Sequence, residues 1–177
     1  MPLLRPRRVN IAEHMDAEDA DPTDVAGALD DLSRLNRFVG GNRLTVRAID
    51  QACAKQLVPR RSLRMLDVAT GAGDIPRAVL AHLDQRRIDA HITGLDIKPT
   101  MLEEARRRSS SRIEFVQGDA LEMPFDDGSF DVVTCSLMLH HFEPAVATTV
   151  LTEMRRVSAG VVIANDLIRA WHPWLFA

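Results

Sequence analysis

From about residue 60 onward, short apolar runs alternate with stretches of helical spacing. Runs at Arg64–Ala69, His91–Asp96, Ile113–Gln117, Phe130–Ser136 and Val161–Asn165 are brief, rich in Val, Ile and Leu, and bounded by turn residues, so they read as strands. Between them, about Ile75–Gln85, Pro99–Arg108 and Ala145–Val157 carry apolar residues at three- and four-residue intervals and read as helices. Strand alternating with helix predicts an α/β fold: a doubly wound, mostly parallel sheet with right-handed crossovers. Such sheets hold ligands beyond the carboxyl ends of their strands, where strand order reverses. That rule places Asp67, Asp96, Asp119 and Ser136 along one edge.

Before residue 60 the pattern differs. Residues 1–24 are polar, with acids clustered from Glu13 to Asp24, and read as a loosely ordered arm. From Val25, Leu29, Leu32, Leu35 and Phe38 or Val39 fall at helical spacing. Gly40-Gly41 breaks that helix, and a second follows over about Arg43 to Leu57, stopped by Pro59. The expected organisation is therefore an arm (1–24), a helical lid (25–59) and a Rossmann-like domain (60–177).

The candidate chemistry concentrates in LDVATGAGD, Leu66 to Asp74. A buried strand there runs into a glycine turn and then a helix N-terminus, a cradle for a nucleotide-like ligand. Gly71 and Gly73 permit backbone angles and close approaches that a side chain blocks. A dinucleotide fingerprint requires a third glycine, but Pro76 occupies its place, and Asp74 beside a pyrophosphate is repulsive. A ligand with a cationic amino-acid end, such as S-adenosylmethionine, reverses that sign and makes Asp67 favourable. Asp96 at the end of the second strand can accept ribose hydroxyls, with Ile97 beside it. Asp119 at the end of the third can accept from an adenine amino group, with the Ala120 backbone N–H facing a ring nitrogen. Any one aspartate at such a place can serve simply as a helix N-cap; three at the ends of successive strands argue for one site.

These motifs, in this order, resemble those of the class I S-adenosylmethionine-dependent methyltransferases, over about residues 60–168. DVATGAGD at 67–74 looks like the family's glycine-rich first motif, with Ala69 at its first glycine and Asp74 at its last. GLDIKPTML at 94–102 resembles the ribose-binding segment, QGDALEMPFDDGSFDVV at 117–133 the adenine-side segment, and TCSLMLHHF at 134–142 the segment after strand four. Within the class the similarity is to ubiquinone and menaquinone C-methyltransferases and to small-molecule methyltransferases of bacterial secondary metabolism. The resemblance implies S-adenosylmethionine as cofactor, S-adenosylhomocysteine as product, and a cofactor site built from Asp67, Ala69, Gly71, Gly73, Asp96, Ile97, Asp119, Ala120 and Ser136. It also implies strands six and seven, which have no counterpart here. The expectation is a shortened methyltransferase, with strand five as an edge that a homodimer can cover.

Composition narrows the partners. Apolar residues are 46%, charged residues 27%, and the net charge is −3, which argues for neither nucleic acid nor an anionic membrane surface. The basic residues are almost all arginine, with only Lys55 and Lys98 as lysines, as a coding bias would produce. Cys53 and Cys135 suggest neither a disulfide framework nor a zinc site. The N-terminal residues lack a signal peptide's apolar run, and no stretch approaches the ~20 apolar residues of a membrane helix, so a cytoplasmic protein is expected.

For catalysis, His140 and His141 are the candidate general bases, either being able to take a phenolic or enolic proton. The expected acceptor is a small phenol, quinol or polyketide-like molecule. No metal is expected, because Asn165-Asp166 is only half of the site used by metal-dependent relatives. Arg37 and Arg43 read first as solvated surface residues, and can meet a cofactor carboxylate or an anionic substrate if the helices form a lid; Arg106–Arg108 reads as a solvated helix end. Two alternatives remain: a cofactor-binding partner subunit without catalysis, and a nicotinamide-dependent reductase.

Overall fold

The computed structural model describes residues 41–166 except Gln56 and residues 59–61. The predicted arm, the helix from Val25 and the apolar tail after Asp166 lie outside the described residues. Chain order is α1 (Gly41–Ala54), β1 (Ser62–Val68), α2 (Asp74–Gln85), β2 (Asp89–Asp96), α3 (Pro99–Arg108), β3 (Ile113–Gln117), β4 (Phe130–Ser136), a 3-10 turn (Leu139–His141), α4 (Pro144–Val157) and β5 (Ser158–Asn165). All strand pairs are parallel and the sheet order is β3-β2-β1-β4-β5. The order reverses between β1 and β4, which makes the gap after those strands the switch point.

Both faces of the sheet are covered, and side-chain parity decides which residue goes where. Leu63 and Met65 of β1, Ile92 of β2 and Val132 of β4 pack with Ile49 of α1 and Val79 and Leu83 of α2. Leu66 and Val68, Leu95, and Val133 and Cys135 turn the other way, against Val150, Met154 and Val157 of α4. A strand buried on both faces shows no apolar–polar alternation, which is why these strands read as continuous apolar runs.

Two boundaries differ from expectation by three residues, the others by no more than two. Helix α1 ends at Ala54 rather than Leu57, and the Leu57 N–H donates to Ala52 O at 2.9 Å. The wide closing turn leaves Leu57 56% exposed and buries Val58 instead. Strand β5 starts at Ser158, directly after α4, rather than at Val161. Its first residues pair with Phe130 across an irregularity in β4, and Gly160 permits this because a Cβ there would stand 2.5 Å from Asp131 O.

A second close approach sits under the site. Gly94, in the middle of the sheet, accommodates the methyl of Thr70 and the ring of Phe115; a Cβ would lie 2.8 and 2.9 Å from them. We expect Gly94→Ala to destabilise the fold by about 1–3 kcal/mol through overpacking, measured as a lower denaturant midpoint at unchanged m-value.

Candidate functional site

Strand β1 hands the chain to a turn in which Ala69, Gly71 and Gly73 all adopt left-handed backbone, at φ 54°, 52° and 76°. The turn is tied to the end of β2. Thr70 N–H donates to Leu95 O at 2.9 Å and Gly71 N–H to an Asp96 carboxylate oxygen at 2.9 Å. The two glycines meet different surroundings. A Cβ on Gly71 would meet nothing within 4 Å, so its Cα borders open space. A Cβ on Gly73 would stand 3.0 Å from the Phe115 ring, so Gly73 is a packing glycine at the mouth of α2.

The open space is a cleft of about 460 Å³ along the carboxyl edge of the sheet. Of the residues expected at a cofactor site, Ala69, Gly71, Asp96, Ile97, Asp119 and Ala120 line it, as does His141. Asp96 accepts the backbone N–H of Lys98 at 3.0 Å with its second oxygen, and each carboxylate oxygen keeps a further acceptor position. Asp119 accepts the Leu121 N–H at 2.9 Å, which fixes the loop after β3. Apolar walls come from Leu95, Met101, Leu121, Leu137, Met138 and Phe142. The last three lie in the 134–142 segment that the family resemblance marks, but no individual position there stands out, because the chain after β4 shows no period. Leu137 is left-handed as well, φ 55°, with its N–H on Asn165 O at 2.9 Å.

Asp67, Gly73, Ser136 and His140 are not on the cleft lining. Asp67 is 2% exposed and its carboxylate accepts the Thr70 hydroxyl at 2.8 Å and the Thr134 hydroxyl at 2.6 Å. Burial pushes its pKa up to about 7, against the pull of the two hydroxyls. Ser136 lies at the end of β4 beside Asn165, with a buried Oγ that has no partner among the described residues. The Asp74 carboxylate is bonded to the Arg77 guanidinium, which also donates to Ala72 O. Its charge is thereby neutralised, so the repulsion expected between Asp74 and a pyrophosphate does not discriminate between ligands. Burial pushes the Cys135 thiol up to about 12, consistent with a small core residue.

His140 pairs with Asp166: Nδ1 lies 2.7 Å from one carboxylate oxygen and the backbone N–H donates to the other at 3.0 Å. The ring centroids of His140 and His141 are 4.1 Å apart. Arg43 stands in a separate groove between α1 and α2 with Asp50 and His82, not at the cleft; Arg37 lies outside the described residues. Arg106–Arg108 is more than a solvated end. Arg106 donates to Phe115 O at 2.7 Å, and Arg107 and Arg108 both bind Glu104. The hydrogen bond from Arg107, followed by that from Arg108, holds the Glu104 carboxyl down at about 2.

The raised Asp67 pKa sets a pH dependence. Folded Asp67 holds its proton up to about pH 7, whereas an unfolded aspartate releases it near 3.9. Its contribution is therefore full below about pH 4 and is lost as pH rises through 7. Asp67→Asn keeps an amide between the two hydroxyls without the charge. The stability of wild type relative to this variant should fall between about pH 4 and pH 7 and level off above that in denaturant titrations; a constant difference would contradict it.

A methyltransferase-domain family profile matches residues 65–159. Among relatives, the demethylmenaquinone methyltransferase of Beutenbergia cavernae is 37% identical over 165 residues, covering 88% of this chain and 63% of its own. That of Thermus thermophilus is 38% identical over 140 residues, covering 77% and 59%. Among solved structures, a protein from Pyrococcus horikoshii OT3 is similar at 29% identity and TM-score 0.53, over 69% of this chain and 56% of that one. The chain thus spans about three-fifths of the length of these two curated relatives. Among the described residues no helix is long and apolar enough to cross a membrane. With more than half of its length matched by the profile, and with the sheet order and glycine turn described above, the chain belongs to the class I S-adenosylmethionine-dependent methyltransferases.

Proposed function

We propose that the protein transfers a methyl group from S-adenosylmethionine to a small phenol- or quinol-type acceptor. The observation that carries the cofactor half is the Gly71–Asp96 pair: an open Cα on one side and a carboxylate with spare acceptor positions on the other, in one cleft. The residues fit the cofactor. Asp96 would hold the ribose hydroxyls, and Asp119 with the Ala120 N–H the adenine edge. Met101 and Leu121 would cover the adenine faces, and the turn from Ala69 to Gly71 would take the amino-acid end. The buried Ser136 Oγ offers a further hydrogen-bonding group at the end of β4. When bound, S-adenosylmethionine supplies an electrophilic methyl on a sulfonium.

This chain's own contribution is alignment, exclusion of water by the apolar walls, and removal of a proton, for which His140 and His141 are the candidates. The quinol class of acceptor is supported by the relatives named for demethylmenaquinone methylation. The strand-five edge, outermost among the described residues, is where a second copy would join if the protein forms a homodimer.

Calorimetry of the full chain tests the cofactor half. S-Adenosylhomocysteine should bind and a nicotinamide dinucleotide should not. Asp96→Ala should weaken S-adenosylhomocysteine by at least tenfold, about 1.4 kcal/mol, because it removes a charged acceptor. Gly71→Ala should weaken it comparably, since the added Cβ projects into the cleft. Methyl transfer to reduced demethylmenaquinone and to a panel of phenols tests the acceptor half; binding without any transfer would favour a non-catalytic partner subunit.

A further inference from the structure

The order of strands tells the two ends of the cleft apart. Asp96 and Asp119 follow β2 and β3, on one side of β1, and β4 and β5 lie on the other. A ligand whose ribose and adenine are held at β2 and β3 extends its reactive end toward the ends of β1, β4 and β5. At that end stand His140, in the turn after β4, off the lining itself but with its ring centroid 4.1 Å from that of the cleft-lining His141, and Asp166, directly after β5. Asp166 grips His140 twice, through the backbone N–H at 3.0 Å and through ring Nδ1 at 2.7 Å. The double grip fixes the backbone and the ring together. Both side chains are partly buried, at 28% and 18% exposure. A carboxylate only accepts, so the proton between the two groups sits on Nδ1, and Nε2 becomes the basic nitrogen. His141 lines the cleft, but its ring makes no such pairing among the described residues.

Resting on the methyltransferase reading above, we propose that His140, rather than His141, is the general base, and that Asp166 is the positioning residue that keeps its proton on Nδ1. The acceptor hydroxyl gives its proton to Nε2. Its oxygen, or the ring carbon it activates, forms a bond to the methyl carbon as that carbon's bond to sulfur breaks, and the electron pair stays on sulfur. Overall the acceptor loses one proton and gains one methyl, the sulfonium becomes a neutral thioether, and the proton passes from His140 to water. Asp166, expected from the sequence only as half of a metal site, acquires a different role: its carboxylate is committed to an imidazole.

The test uses the full chain and two readouts. In nitrogen-15 histidine spectra, His140 should be the Nδ1–H tautomer in wild type, and Asp166→Asn should shift it toward Nε2–H. An Nε2–H tautomer in wild type would overturn the proposal without any assay of turnover. In kinetics with the best acceptor among reduced demethylmenaquinone and the phenols, His140→Gln and Asp166→Asn should each lower kcat at least 100-fold. Acceptor KM and S-adenosylhomocysteine affinity should change less than about threefold in both variants, whereas His141→Gln, on the cleft wall, should lose less in kcat than His140→Gln. An equal kcat loss in His141→Gln, a cofactor-affinity loss as large as the kcat loss, or no turnover by a wild type that binds S-adenosylhomocysteine would each defeat it. Failure of wild type to bind S-adenosylhomocysteine at all would instead defeat the methyltransferase reading on which it stands.

Discussion

The site hangs on one residue, Thr70, and on the buried carboxylate that holds it. Its hydroxyl donates to Asp67, its N–H donates to Leu95 O, its carbonyl accepts from Gly73, and its methyl lies over Gly94. Four contacts in four directions leave the turn after β1 one conformation. Asp67 in turn joins β1 to β4 through Thr134. Burying a carboxylate costs several kcal/mol even after relaxation. Here two hydroxyls offset part of that cost, and the raised pKa is the remainder made visible. From this anchoring follow the direction of the Gly71 N–H, its bond to Asp96, and the placing of a carboxylate with free acceptor positions at the cleft.

This arrangement explains which parts of the site can be read from sequence. Strand β3, strand β4 and helix α3 fall on the expected residues, since the two strands are compact apolar runs, β3 stopped by Gly118, and α3 opens on Pro99 with a clear helical period. The positions of Asp67, Asp96 and Asp119 at strand ends are legible for the same reason. The direction of each side chain is not. In strands buried on both faces, parity has no polar mark to report it, so Asp67 looks like a ligand although its carboxylate points into the core. Gly73 is equally ambiguous: a glycine in a turn suggests close approach, but the partner here is Phe115, brought there by a third strand. The His140–Asp166 pair joins the ends of β4 and β5 and becomes visible only once those strands are neighbours.

The abundance of arginine also gains a physical aspect that composition alone does not suggest. Arg156 shows why a planar fork suits this fold. It donates to Glu153 and Asp127 and to the carbonyls of Met123 and Phe125, clasping α4 to the long connection before β4. Glu153 closes the same clasp by accepting the Met123 N–H at 3.2 Å. Exposed ion pairs of this kind add little stability one at a time. Their effect is geometric: a connection that would otherwise be an open loop is held at two carbonyls, downstream of the Asp119 and Ala120 segment. A lysine has neither the number nor the spread of donors to do this.

The strained backbone marks the same place from a different direction. Three described non-glycine residues are left-handed: Arg87 follows α2 away from the cleft, while Ala69 and Leu137 each follow one of the two strands that flank the switch point. Left-handed backbone costs an L-residue about 1–2 kcal/mol, so two such residues on adjacent strands require compensation. Leu137 has its N–H on Asn165 O, and Ala69 is followed at once by the anchored Thr70. Both residues line the cleft. Strain of this kind persists where its surroundings over-determine it, and such places are commonly functional. Here the consequence is concrete: the chain turns sharply as it leaves β1 and β4 instead of continuing along the sheet, which leaves the crevice open between Asp96 at the end of β2 and the turn after β4 that carries His141.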